Sequence, residues 1–260
     1  MIAYHPEPDN HGLPVVLKKP STASALSAWR HAAKAATVVP GGALPPELNG
    51  IALRAWTGAP SSAAAWKAVE GQCAFDEPPF LPPPGKAPAA GVVILESDGR
   101  VWLVAPSNAF GGYAATFPKG RIEDNVNPHA TAIREAYEES GLKVEITGFL
   151  ADSSRTQSYT RYYLARRTGG DPASMGWESQ AVHLVPRALL ADFLTHANDL
   201  PLRRALGHIL TRIQGQLSLH PSGPEKSLQL PITYNVALNY ICRNIKIWGD
   251  AHANLPYRAR

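Results

Sequence analysis

The sequence predicts an α/β domain preceded by a Pro/Ala-rich N-terminal extension. Three observations carry that prediction. Ala90–Leu95 and Val101–Ala105 are apolar runs joined by Ser97-Asp98-Gly99-Arg100, a hairpin signature. Pro128–Ser140 reads as one helix with recognisable signals at both ends. Of the 24 prolines, 14 fall in the first 88 residues. The chain has 260 residues, 45% of them hydrophobic and 18% charged, so it can bury a core without disulfide or metal staples and is too apolar for a disordered chain. No apolar run reaches the ~18–20 residues of a membrane span. Residues 1–10 offer neither a basic n-region nor an apolar h-region, so the expected location is cytoplasmic.

In the extension, Ala23–Ala36 and Ser61–Val69 look helical, and Thr37–Pro40 and Ile51–Trp56 look like short strands between Gly/Pro turns. Trp29, Trp56 and Trp66 imply that this segment packs on something. The run from Glu77 to Pro88 is too proline-rich for helix interior or central strand and reads as an extended linker. The expected organisation is an extension over 1–88, a main domain over 89–215 and a basic C-terminal extension over 216–260.

After the hairpin comes a glycine-rich loop, Ala109-Phe110-Gly111-Gly112-Tyr113, then Thr116-Phe117-Pro118-Lys119-Gly120. In the helix that follows, Asn127 suits the N-cap, Pro128 the first turn and Gly141 the position after the last turn. Strands are expected at Val144–Leu150, Ser158–Arg166 and Ala181–Val185, and a helix at Leu202–Leu217 places Leu202, Ala205, Leu206, Ile209, Leu210 and Ile213 on one face. Tyr234–Ile247 is a weaker helical stretch. Cys73 and Cys242 stand far apart with no ligand spacing, which favours neither zinc nor a disulfide scaffold. The net charge of +4 lies mostly beyond residue 215, in Lys226, Arg243, Lys246, Arg258 and Arg260. It permits an anionic ligand without requiring nucleic acid.

The chemistry concentrates in Arg134-Glu135-Ala136-Tyr137-Glu138-Glu139-Ser140-Gly141-Leu142. Glu135, Glu138 and Glu139 are spaced i, i+3, i+4 and share a helix face, while Ala132, Ile133, Ala136 and Tyr137 suit packing against a sheet. Crowded oxygen ligands suit a hard cation, Mg²⁺ or Mn²⁺; a solvated acidic face is the plainer alternative.

Gly120–Leu142 resembles the Nudix box, G-x5-E-x7-R-E-U-x-E-E-x-G-U, with U aliphatic. Gly120, Arg134, Glu135, Ala136, Glu138, Glu139, Gly141 and Leu142 fall on its positions, and Val126 stands where its first Glu belongs. The resemblance implies an α/β/α sandwich with a mixed sheet and a metal-dependent hydrolase that cleaves a phosphoanhydride in a nucleoside diphosphate-linked compound. It implies Glu135, Glu138 and Glu139 as Mg²⁺ ligands and catalytic groups, with Mn²⁺ as an alternative ion, and Arg134 as a structural member that orients loop and carboxylates. With Val126 in the Glu position, Glu123 or Asp124 is the expected partner of Arg134. The base differs among branches, and Glu178 is a second candidate for base or extra ligand, or a solvated loop acid. Lys119 and Gly120 are candidates for substrate contact, Lys119 as a point charge on phosphate or as an inert loop lysine. Gly111-Gly112 suits phosphate approach or a plain turn. Tyr113, Tyr159 and Trp177 suit base stacking or packing.

Tyr159 lies 17 residues after Leu142, and Pro118-Lys119-Gly120 leads into the box. Both resemble features of the dinucleoside-polyphosphate branch. ADP-ribose or a nucleotide sugar is the alternative substrate. A different class of reading, motivated by Val126 and the unusual N-terminal extension, is a nucleotide-binding sensor with weak catalysis; a third, an RNA-end or nucleic-acid processing role, rests only on the basic tail. The implied partner is a nucleotide-like small molecule, with no membrane and no nucleic acid called for and a homodimer left open.

Overall fold

The structure, a computed structural model, describes residues 2–208. In chain order the elements are β1 (Ala3–Tyr4), β2 (Val16–Leu17), α1 (Leu26–Trp29), β3 (Ala36–Val38), β4 (Glu47–Leu48), β5 (Ile51–Ala52), α2 (Ala63–Lys67), β6 (Ala87–Leu95), β7 (Arg100–Pro106), β8 (Lys119–Arg121), α3 (Pro128–Ser140), β9 (Leu142–Ser154), β10 (Ser158–Gly170), β11 (Ser179–Pro186) and α4 (Leu190–Phe193). Residues 200–208 are also helical. The expected sandwich is present. A mixed seven-stranded sheet runs β3-β11-β7-β6-β10-β9, with β8 added to β6. β6 and β10 are parallel, in the register Ala90↔Arg161 and Val92↔Tyr163; the other pairings are antiparallel.

β6 lies mid-sheet and is apolar on both faces, as a strand covered on both sides must be. Ala90, Val92 and Ile94 join the cluster formed with Ile133 and Ala136 of α3 and with Trp29, Ala36, Val38, Leu48, Leu53 and Val69 of the extension. Val93 and Leu95 face the other cluster, with Leu190, Leu194, Leu202 and Leu206. The extension therefore lies on the α3 side and contributes β3 to the sheet edge, pairing Val38 with Val182. A buried ion pair anchors it: Arg167 Nε donates to Glu96 Oε1 at 2.5 Å, and Arg167 Nη2 donates to Leu48 O at 2.8 Å. Asn49 and Trp102 also donate to Glu96. Trp29 meets Trp102 at 5.9 Å between ring centroids.

Local signals set the ends of α3. Asn127 Oδ1 accepts the Ala130 N–H at 2.8 Å, Pro128 occupies the first turn, and Gly141 takes φ 67° at the C-terminus. A Cβ at Gly141 would lie 2.1 Å from Asp171 O, so the position demands glycine twice over. Two expectations need correction. The helical reading of Ala23–Ala36 holds only for Leu26–Trp29, because Ala36–Val38 pairs with β11, a tertiary contact that overrides alanine's helical preference. The strand over Ile51–Trp56 shortens to Ile51–Ala52, because Leu53 N–H turns to Pro46 O and Arg54 bridges to Gly170. Of the helix expected at Leu202–Leu217, residues up to 208 are helical with Leu202 and Leu206 buried. Ile209, Leu210, Ile213, the stretch Tyr234–Ile247, Cys242 and the extension 216–260 lie outside the described residues. Among the described residues no helix is long and apolar enough to cross a membrane.

Candidate active site

β8 carries Lys119 and Gly120 past the C-terminal half of α3. Gly120 pairs with Ala90, and its missing side chain makes room for Glu135: a Cβ there would lie 2.1 Å from the Glu135 carboxylate. Glu135 and Glu139 are 7% and 6% exposed. Lys119 meets Glu139 twice, through its backbone N–H at 3.4 Å and its Nζ at 3.9 Å. Arg134 is surrounded by three carboxylates: Nη1 donates to Glu123 Oε1 at 2.5 Å, Nη2 to Glu135 Oε1 at 3.2 Å, and Nε lies 3.6 Å from Glu138 Oε2. Glu123 thus provides the partner that Val126 cannot. Val126 itself packs against the apolar cluster under α3.

The electrostatics follow from burial and crowding. Loss of solvent, then repulsion from Glu139 and Glu138, pushes Glu135 up to about 8, against the pull of Arg134. Desolvation raises Glu139 to about 7, with Lys119 and Arg155 opposing and the Glu178 charge adding to the rise. Glu138 is raised by desolvation, with Arg134 opposing and Glu178 and Glu123 adding. Glu178 is exposed in the loop before β11, and that loop is fixed to the helix by Gly176 N–H donating to Glu138 O at 2.8 Å. The structure therefore brings Lys119, Gly120, Arg134, Glu135, Glu138, Glu139 and Glu178 to one place. The Tyr159 ring stacks on Phe80 of the proline-rich segment at 5.6 Å. Trp177 donates through Nε1 to Asn10 Oδ1 at 3.2 Å.

The donor chemistry suits a hard divalent cation: oxygen atoms only, crowded, and two of the carboxyls held above their ordinary range by burial and by neighbouring carboxylates. Among the described residues no three His, Cys, Asp or Glu side chains are already gathered to hold a metal ion, and the Glu138 carboxylate is turned toward Arg134.

Around Tyr113 lies a second cluster whose other members have no counterpart in the sequence motifs. Arg155 Nη2 donates to Asp199 Oδ1 at 2.5 Å and Nη1 to Tyr113 Oη at 3.0 Å. Asn198 Nδ2 also donates to Tyr113 Oη, and Thr116 Oγ1 donates to Asp199. Tyr113 stacks on His196 at 3.9 Å. No motif marks Arg155 or Asp199, which lie 44 residues apart and meet only in the fold.

Residues 85–206 match the family model described as "NUDIX domain". This chain carries a Nudix domain. Its box is the helix and β8 turn just described, with Gly120 and Glu135 in contact range across it. Among curated relatives, a Mycobacterium tuberculosis protein named as the mutator protein MutT4 is 27% identical over 164 residues, 57% of this chain and 66% of the relative. An RNA pyrophosphohydrolase of Aeromonas hydrophila is 32% identical over 99 residues, 38% of this chain and 49% of the relative. The Nudix match thus spans about half to two-thirds of these relatives' length. Among solved structures, a C. elegans Ap4A hydrolase binary complex is 20% identical, covers 49% of this chain and 98% of its own, and has a TM-score of 0.42.

Proposed function

We propose that the protein is a metal-dependent Nudix pyrophosphohydrolase that cleaves a phosphoanhydride in a nucleoside diphosphate-linked compound. The observation that carries this reading is the pair Glu135 and Glu139, nearly buried, crowded with Glu138 and pushed up to about 8 and 7 in a Nudix box. Three acids at this density serve little purpose as a solvated face, since two of the three are shielded from solvent.

Glu135, Glu138 and Glu139 would hold Mg²⁺, with Mn²⁺ as an alternative. When bound, such an ion neutralises phosphate charge and acidifies water. The protein's own groups do the rest. Arg134, pinned by Glu123, keeps the carboxylates oriented. Lys119 places a cation where the phosphates approach. Glu178, exposed beside Glu138 and Glu139, accepts the proton of the attacking water. Gly120 leaves the space in which Glu135 sits. The Pro118-Lys119-Gly120 entry favours a dinucleoside polyphosphate, with ADP-ribose or a nucleotide sugar as the alternative. Relatives named RNA pyrophosphohydrolase at 32% identity add a 5′-triphosphate RNA end to the compounds worth testing. Glu123 supplies an acid for Arg134 and so removes one of the two motives for the sensor reading; binding without product would support that reading.

The test is product release with Mg²⁺ and with Mn²⁺ from diadenosine tetraphosphate, ADP-ribose, UDP-glucose, NADH, dNTPs and a 5′-triphosphate RNA. Glu138→Gln and Glu139→Gln run beside the wild type. The reading expects selective turnover that falls at least a hundredfold in both variants. Turnover that survives both substitutions, or none from the wild type, would reject it.

A further inference from the structure

We propose that Phe110 is an aromatic platform on which the base of the nucleotide substrate stacks, an inference that rests on the hydrolase reading above. Phe110 is 82% exposed, more than any other large apolar side chain among the described residues. Its loop, Ser107–Gly112, holds it there at a conformational cost. Asn108 (φ 56°) and Ala109 (φ 53°) are left-handed without being glycine, and Gly111 and Gly112 continue the bend with positive φ.

The surroundings brace this arrangement. Asn108 Oδ1 accepts from Lys18 N–H and its Nδ2 donates to Val16 O, both at 2.8 Å, while its own N–H donates to Gln180 Oε1. A loop clamped from two sides that still presents its one aromatic ring to water has that ring available for a ligand.

Position selects the ligand. At one end of the loop, Ser107 N–H donates to Glu178 O and Ser107 Oγ to Trp177 O, both at 2.7 Å. The same 176–178 turn is bonded to Glu138. At the other end, Tyr113 is held by Arg155 and Asn198, and the chain runs on to Lys119 and Gly120. Phe110 thus lies on a loop tied at one end to the Glu178 turn and continuing at the other into Tyr113, which Arg155 holds. A substrate with its phosphates at Glu135, Glu138, Glu139 and Lys119 projects its remaining part outward. A planar heteroaromatic base matches a bare phenyl ring, because stacking is tolerant of base identity. Tyr113 serves differently: its ring is already covered by His196 and its hydroxyl is occupied.

The test uses the full chain and equilibrium binding, so it does not depend on turnover. Calorimetric titrations with Mg²⁺ compare ADP and GDP with inorganic pyrophosphate. The wild type is expected to favour the nucleotides. In Phe110→Ala that preference falls about five- to a hundredfold, and Phe110→Trp restores it. Exposure of the ring makes both variants safe for folding. A nucleotide preference that is missing in the wild type, or unchanged in Phe110→Ala, overturns the platform. So does a Phe110→Ala chain that loses only self-association in sedimentation, since the ring would then belong to contacts between copies. Base-dependent binding without turnover of any compound would sink the hydrolase reading and leave the platform standing; turnover with no base preference would do the reverse.

Discussion

Adding one methyl group at Gly120 tests whether the site depends on the placement of Glu135. The Cβ of Gly120→Ala would stand 2.1 Å from the carboxylate carbon and Oε2 of Glu135, whereas ordinary contacts begin near 3.4 Å, so the carboxylate has to retreat by roughly 1 Å or more. It has no easy direction. Arg134 Nη2 holds Oε1 at 3.2 Å, Glu139 crowds the same side, and the residue is 7% exposed. Backbone strain does not enter, since Gly120 has no positive φ. Displacement of a reacting group by about 1 Å lowers turnover about a hundredfold, and overpacking of this kind destabilises by about 1–3 kcal/mol, or roughly 2–10 °C in Tm for a chain of this size. The assay is kcat and KM with the best substrate of the panel, with Tm by scanning calorimetry. Gly207→Ala is the control: its Cβ meets nothing within 4 Å on a helical segment, so turnover holds and stability rises by about 0.5–1 kcal/mol. Gly120→Ala with wild-type kcat would show that Glu135 does not need its present position, and the catalytic assignment of that residue would fall.

Three further outcomes follow from the same geometry. Glu135 and Glu139, raised to about 8 and 7, hold protons in the folded chain that the unfolded chain, with carboxyls near 4.5, has already released. Their contribution to metal-free stability therefore falls as pH rises from about 5 to 8, on the order of a few kcal/mol. Calorimetry in EDTA should show the Glu135→Gln/Glu139→Gln chain gaining on the wild type across that range, with Mg²⁺ removing the difference; parallel curves would refute the shifts. Glu123→Ala should lower turnover with a stability loss under about 1 kcal/mol, because the Glu123 side chain is 56% exposed. Adding Val126→Glu should recover turnover but destabilise, since residue 126 packs on the core; failure to recover would remove Arg134 orientation as the explanation. Arg167→Met leaves Glu96, whose side chain is 2% exposed, without its countercharge and with only the neutral donors Asn49 and Trp102, and should cost about 3–5 kcal/mol, read as a lowered denaturant midpoint. An unchanged midpoint would mean that this pair does not anchor the extension.

What the sequence made legible was what local chemistry decides. The ends of α3 are set by Asn127, Pro128 and Gly141 within a few residues of each other, so their side chains announce them. The turn at Asp98-Gly99 does the same for β6 and β7. β8 was invisible for the opposite reason. It is three residues long and exists because Gly91 lets Pro118 and Lys119 approach β6, where a Cβ would lie 2.5 Å from Pro118 O. The box carboxylates could be read as a set from their spacing. Arg155 and Asp199 could not, because a loop residue and the start of a distant helix carry no shared period. Phe110 was legible as part of a glycine-rich loop, but its exposure depends on contacts from residues 16–18 and 180.

The extension's tryptophans grip the far side of α3. Trp56 and Trp66 close on Tyr137 at 5.3 and 5.8 Å and on each other at 6.0 Å. At about 100° per residue, Tyr137 points nearly opposite Glu135 and Glu139 on the same helix turn. Holding the tyrosine therefore fixes the rotation of α3 about its axis, and with it the direction of the carboxylates. Each aromatic pair adds about 0.5–1.5 kcal/mol beyond burial, so the two contacts to Tyr137 resist a rotation of α3 that would carry Glu135 and Glu139 away from Gly120 and Lys119. The helix itself sets the separation of Glu135 and Glu139, and the grip on its far side fixes their direction toward β8. The segment that looked least like part of a catalytic domain is, on this geometry, what aims the carboxylates.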